Sequence, residues 1–364
     1  MNIDKIADVC RRFGVESKIT YIEQKKSGLI NTTYYLETLD EEKYVLQKIN
    51  TYVFKNPEEL MENISSVTHF LRKKIRETGG DPERETLRFF KSDNEKYFLY
   101  DEENSAWRLY RFVDDSYTVD ETKDLTVFRS AGAAFGRFMR LLNNYPAQNL
   151  HETIVDFHNT PARFQTFLNS LEKNTSGRKG NCKEQIDFVL SREADTHFVM
   201  DMYENGLIPT RVTHNDSKIN NVLFDRKTDR GICVIDLDTV MPGVSLYDFG
   251  DTLRSGANNT REDDSNLNNV FFDLDLFRSY TEGFLSETAH CLTEAELENL
   301  PFGVKLMTLE CGIRFLTDYL DGDVYFRTDY PEHNLVRAKN QFRLVEDIES
   351  KYDEMLKIVR ECLK

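Results

Sequence analysis

The feature that most constrains this chain is a single β-like island, Arg211 to Asp238, set in a second half that otherwise reads as helix. It contains the apolar runs Val222-Leu-Phe and Gly231-Ile-Cys-Val-Ile, with a polar segment in front of the first. An isolated two-stranded ribbon is barely stable in water, so helices must cover this one. Amphipathic stretches over roughly 126–142, 184–204, 269–288 and 301–320, and a last helix from about 333 to the end, supply that cover. The first third has the opposite texture. Ile19 to Ile22, Thr32 to Glu37 and Lys43 to Ile49 are β-branched and aromatic runs, separated by Gly28 and the turn Asp40-Glu41-Glu42. A helix begins near Asn56, with Pro57 at its first position and Leu60, Ile64, Val67 and Leu71 on one face. A hairpin follows, Lys96 to Tyr100 and Ala106 to Val113, and Asp114-Asp115-Ser116 marks a hinge. The expected class is α+β and bilobal: a small β-rich lobe over residues 1–113 and a larger, mostly helical lobe over 114–364.

Composition narrows the partners. The chain has 364 residues, with 47 basic against 63 acidic and a formal net charge of −16, which argues against a wide grip on nucleic-acid phosphates. Charges interrupt every apolar run well short of the ~18 residues that span a bilayer, and Met1 to Gly14 lacks the apolar core of a signal peptide. The six cysteines lie far apart with no C-x-x-C pair, as suits reduced, buried thiols. The expectation is a cytoplasmic protein without nucleic-acid, membrane or obligate protein partners.

The loop before the first island strand, His214-Asn215-Asp216-Ser217-Lys218-Ile219-Asn220-Asn221, has the pattern H-x-D-x-x-x-x-N of a kinase catalytic loop. Phosphoryl transfer explains its residue types. Asp216 would accept the proton of an attacking hydroxyl and aim its lone pair at the γ-phosphorus. Asn221 would hold Mg²⁺ through a neutral oxygen, and Lys218 would offset charge on the moving phosphoryl group. His214 would brace the loop. The plain alternative is a polar turn between strands. The second run ends in Asp236, twenty residues after Asp216, where a metal carboxylate belongs; Asp238 would help hold the metal or its water. Asp248-Phe249-Gly250 spells a kinase metal motif but opens a helix, so Asp248 is expected to brace the loop or cap that helix.

Gly28, Asn31 and Thr32 lie in a turn between strands suited to backbone contacts with phosphates, and a lone Gly there also fits a simple turn. Lys48 occupies a phosphate-pairing position with Glu58, Glu59 or Glu62 as its partner; a solvated lysine fits the position equally. Glu310, Arg314 and Asp318 stack at i, i+4, i+8 on an apolar helix, either as an ion-pair ladder or as the wall of a substrate pocket, with Gly322, Asp323 and Tyr325 on a loop beside it.

At these residues the chain resembles the aminoglycoside phosphotransferase and choline kinase superfamily, and within it the N-acetylhexosamine 1-kinases. The likeness spans 28–34, 44–50, 106–112, 211–225, 234–243, 247–258, 276–284, 310–326 and 330–337, nearly the whole chain. It implies a protein-kinase-like fold that uses ATP and Mg²⁺ to phosphorylate the anomeric hydroxyl of N-acetylglucosamine or N-acetylgalactosamine. It further implies Asp216 as base, Asn221 and Asp236 as magnesium ligands, and Arg314 and Tyr325 as sugar contacts with Asp216 and Thr239 nearby. Rival expectations are another small-molecule kinase of the superfamily, with an amino alcohol, homoserine-like or aminoglycoside acceptor, and a non-catalytic sensor that binds without transfer.

Overall fold

The computed structural model describes residues 3–25 and 30–364. The small lobe runs through α1 (Ile3–Arg12), β1 (Ile19–Lys25), β2 (Thr32–Thr38), β3 (Lys43–Lys48), α2 (Pro57–Glu77), β4 (Leu99–Tyr100) and β5 (Ala106–Arg111). Its strands make one five-stranded sheet in the order β1-β2-β3-β5-β4, every neighbouring pair antiparallel. Ile6, Val9 and Cys10 of α1, with Phe13 just beyond it, bury one face of this sheet against Leu36, Leu46, Trp107 and Leu109. Pairing sets Gln47 opposite Thr33 and Arg108, and Lys48 opposite Thr32 and Trp107. Because side chains alternate along a strand, Lys48 and Thr32 share the α1 face, whereas Gln47 and Arg108 face the other way, toward the large lobe. α2 starts where the Asn56 side chain accepts the Glu58 and Glu59 N–H groups, with Pro57 in the first turn.

The large lobe comprises β6 (Ser116–Tyr117), α3 (Leu125–Leu142), α4 (Thr160–Lys173), α5 (Lys183–Leu190), α6 (Glu193–Glu204), β7 (Arg211–Thr213), β8 (Val222–Asp225), β9 (Gly231–Val234), β10 (Met241–Gly243), α7 (Ser245–Gly256), α8 (Leu274–Thr288), α9 (Glu294–Glu298), α10 (Leu300–Asp321), α11 (His333–Ser350) and α12 (Tyr352–Cys362). The island is therefore two small sheets, β6-β8-β9 and β10-β7. The hinge segment is tied to it: Ser116 pairs with Asp225, and Arg84 donates to the Asp225 carboxylate and to the Asp114 and Asp115 carbonyls.

One apolar core runs from Leu60, Ile64 and Val67 of α2 through Phe128 and Phe135 of α3 to Phe249, Tyr280 and Phe284. α7 crosses α10 at a glycine pair. A Cβ on Gly250 would meet the Gly303 carbonyl oxygen at 2.3 Å, and one on Gly303 would meet that of Leu246 at 2.6 Å. That approach holds α7, which carries Asp248, against the helix that carries Glu310, Arg314 and Asp318.

Two expected helices are each a pair. The stretch 184–204 breaks at Ser191-Arg192, where Arg192 turns to Glu349, and the last helix breaks at Lys351, whose ammonium reaches the Phe272 carbonyl at 2.8 Å and Asp347 at 2.7 Å. The helix expected from 269 starts at Leu274, behind an Asp273 cap. No helix among the described residues is long and apolar enough to cross a membrane. The six cysteines are free thiols.

Candidate active site

The loop after β7 is held from below. Asp248, at the start of α7, accepts the His214 and Asn215 N–H groups at 2.8 Å each, and its carbonyl accepts the Ser217 hydroxyl at 2.6 Å. It is a buried brace, and burial pushes its carboxyl up. His214 is fully buried; its Nδ1 accepts from the Asp216 N–H at 3.2 Å and its Nε2 lies 2.8 Å from the Ile235 carbonyl, which fixes the neutral tautomer with the proton on Nε2. Asn215 adopts a left-handed φ of 63°, with its amide on the Thr239 carbonyl at 2.9 Å. These ties turn Asp216 outward into the cleft, a third exposed.

Asp216 pairs with the Lys218 ammonium at 2.8 Å, and Asn221 donates its Nδ2 to the Asp216 carbonyl at 2.7 Å and carboxylate at 3.3 Å. Burial raises the Asp216 carboxyl, but Lys218 outweighs it and the group lies below the usual carboxylate range. Because Asn221 commits its NH₂ to Asp216, its Oδ1 is the atom left to meet a cation.

Asp236 follows β9 in a left-handed turn, φ 58° and ψ 55°. Burial, then the charges of Asp238 and Asp216, push its carboxyl up to about 6. A carboxylate crowded by two others is one that a cation would stabilise. No group of three or more His, Cys, Asp or Glu side chains among the described residues could hold a metal alone. Mg²⁺ takes one or two protein oxygens and fills its shell with phosphate oxygens and water. Asp236 and Asn221 Oδ1 are the oxygens here that could serve it.

The remaining expected residues separate. Gly28 lies outside the described residues. Asn31 donates to Asp238 at 2.5 Å and accepts the Asn50 N–H at 2.9 Å. Lys48 and Thr32 sit on the sheet face away from Asp238, while Glu58 pairs with Lys96 and Glu62 with His151. The cleft-facing cation is instead Arg108, 2% exposed and ion-paired with Asp238. Thr239 is buried with its hydroxyl on the His214 carbonyl at 2.6 Å. Glu310, 1% exposed, gives one oxygen to His158 and the other to Thr160, each at 2.7 Å, so its carboxylate braces the interior. His158 also reaches the Asn215 carbonyl at 2.9 Å. Acceptors at both nitrogens favour the charged ring: burial lowers its pKa, but Glu310 outweighs burial and raises it.

The stripe on α10 is thus not a ladder. Arg314 lies over the rings of Phe157, Phe326 and Tyr325, at 5.5, 5.6 and 5.9 Å from their centroids, and has no ion-pair partner among the described residues. Asp318 accepts the N–H groups of Val324, Tyr325 and Phe326 at 2.9, 2.8 and 2.9 Å and the Asn334 amide at 2.8 Å. It fastens the loop that carries Tyr325, itself 68% exposed beside Arg314.

An aspartate paired with a lysine, and a second carboxylate and an amide close by at the seam of two lobes, form a candidate phosphoryl-transfer site. Residues 22–283 match the model of the phosphotransferase enzyme family, and the chain belongs to that family. The bilobal, protein-kinase-like architecture is shared with solved structures. An aminoglycoside phosphotransferase from Alicyclobacillus acidocaldarius aligns over 98% of this chain and 96% of its own, with TM-score 0.60 and 10% identity. Amicoumacin kinase hAmiN, solved with AMP-PNP, Ca²⁺ and Ami, aligns over 94% and 93%, with TM-score 0.60 and 12% identity. Choline kinase from Cryptosporidium parvum aligns over 100% and 99%, with TM-score 0.57 and 14% identity.

Proposed function

We propose that this phosphotransferase is an ATP- and Mg²⁺-dependent kinase acting on the anomeric hydroxyl of N-acetylhexosamines. Asp216 takes the hydroxyl proton. An anomeric hydroxyl is more acidic than an ordinary alcohol, so a carboxylate kept ionised by Lys218 suffices as its base. Asn221 and Asp236 hold the metal, which when bound neutralises charge on the β- and γ-phosphates. Lys218, 2.8 Å from Asp216, offsets charge on the phosphoryl group during transfer.

The observation that carries the acceptor class is Arg314, a guanidinium set among the rings of Phe157, Phe326 and Tyr325 with no ion pair among the described residues. Arg163 adds a second cation. It donates to the Phe157 carbonyl at 3.2 and 2.9 Å, and burial, then the charge of Arg314, lowers its guanidinium. Two arginines disfavour choline and aminoglycosides, which are cations, and suit hydroxyl and acetamido oxygens. ADP release with Mg²⁺-ATP should appear with N-acetylglucosamine or N-acetylgalactosamine and not with choline, ethanolamine or kanamycin. Arg314→Ala should raise the acceptor KM ~10-fold or more, the loss of a charged hydrogen bond, without moving that of ATP. Turnover of a cationic acceptor alone would reassign the substrate; nucleotide binding without turnover of any acceptor would favour the sensor.

A further inference from the structure

Asp238 belongs to the large lobe, yet the small lobe holds both of its oxygens. One is ion-paired with Arg108 of β5; the other accepts from Asn31 at 2.5 Å. Neither partner is free to drift. Arg108 also donates Nε to Gln47 of β3 at 2.9 Å and packs on Met61 of α2, and the Asn31 amide oxygen is fixed by the Asn50 N–H. Arg108 and Asp238 are 2% and 4% exposed, so each charge is taken out of water and depends on the other.

Two residues before Asp238 stands Asp236, in a left-handed conformation that aspartate tolerates better than most side chains and that aims its carboxylate from a tight turn. The turn that follows is pinned on two sides: Asp238 to the small lobe, and Thr239 to the catalytic loop through its hydroxyl on the His214 carbonyl and its carbonyl on the Asn215 amide. The second pin keeps the turn on the catalytic loop. The first ties its geometry to the small-lobe sheet.

We propose that Arg108 is a positioning residue for the metal site: by clasping Asp238 across the cleft, it sets the orientation of Asp236 and couples metal-dependent nucleotide binding to the seating of one lobe on the other. The inference rests on the reading of Asp236 as a metal ligand. The small-lobe cation that reaches the large lobe is then Arg108 of β5 and not Lys48 of β3, and the strand register is the reason, because Lys48 faces α1 and Arg108 faces Asp238.

Binding of AMP-PNP to the full chain, measured by calorimetry across a Mg²⁺ series, tests it, with circular dichroism as the check on folding. Arg108→Gln should weaken the Mg²⁺-dependent part of the affinity at least tenfold and leave the metal-free part unchanged. Arg108→Lys should fall between. Arg108→Gln combined with Asp238→Asn should recover most of the loss, because no buried charge is then left alone. Should Arg108→Gln fail to fold, Asn31→Ala severs the other tether without stranding a charge and should cost about threefold in the same Mg²⁺-dependent part. Wild-type behaviour in the variant that folds, a loss equal with and without Mg²⁺, or a double variant at the product of its single losses would overturn the proposal. A wild-type protein whose nucleotide binding ignores Mg²⁺ would overturn the metal-site reading itself, and this inference with it.

Discussion

Asparagine keeps the shape of Asp216 and removes its capacity to take a proton, so Asp216→Asn separates chemistry from binding. The expected result in steady-state kinetics is a fall in kcat of about 10²–10⁴-fold, the usual worth of a positioned general base, with the ATP KM nearly unchanged. A KM effect of that size with kcat intact would contradict the role. The candidate loop was legible because its residues are local: His214, Asp216 and Asn221 fall within the one connection between β7 and β8, and the structure brings them together with Asp236. Glu310 and Lys48 were harder for a physical reason. Helical spacing cannot tell an outward carboxylate from one turned inward onto His158, and a strand's face is set by one residue of register. Arg108 left a trace, a charge between Trp107 and Leu109 in an apolar strand, which is the pattern of a buried ion needing a partner. His158 left none, because its contacts with Asn215 and Glu310 are 57 and 152 residues away.

Two ties govern how elements meet at the cleft. Asp318 fastens residues 324–326 to α10, and Asp318→Ala should release them. The expected signature is an acceptor KM raised ~10-fold, for the loss of hydrogen bonds to a charged group, with the ATP KM unmoved. His158 joins the segment before α4 to α10 and to the catalytic loop, and removing one partner of such a buried pair costs ~3–5 kcal/mol. The sign with pH follows from the two shifts. His158 is raised on folding, so its share is complete below an unfolded value of about 6.5 and fades as pH rises through the folded value; Glu310 is lowered, with burial opposing and His158 prevailing, so its share is complete above about 4.3 and fades as pH falls. Thermal melts should therefore show the Tm deficit of His158→Gln largest between about pH 4.3 and 6.5 and narrowing at alkaline pH. A deficit that is flat with pH would contradict the ion pair. At this scale the sequence indicated most strands and the long helices, but not the breaks at Ser191-Arg192 and Lys351. The apolar periodicity continues across both, since α5 and α6, and α11 and α12, remain packed on cores shared with α10. It also missed α1 and α4, whose apolar faces are short.

Across the whole molecule, a continuous core and the Arg108–Asp238 clasp tie a β-rich lobe to a helical one, with Asp216, Asn221 and Asp236 at the seam. The chain belongs to the phosphotransferase enzyme family, and Arg314 beside Tyr325 supports the proposal of a neutral, oxygen-rich acceptor. The most direct test is ADP release with Mg²⁺-ATP and either free N-acetylglucosamine or its 1-O-methyl glycoside, which lacks only the anomeric hydroxyl. Turnover of the free sugar alone, abolished in Asp216→Asn, is the predicted result. Equal turnover of both sugars would move the acceptor to another hydroxyl and contradict the account.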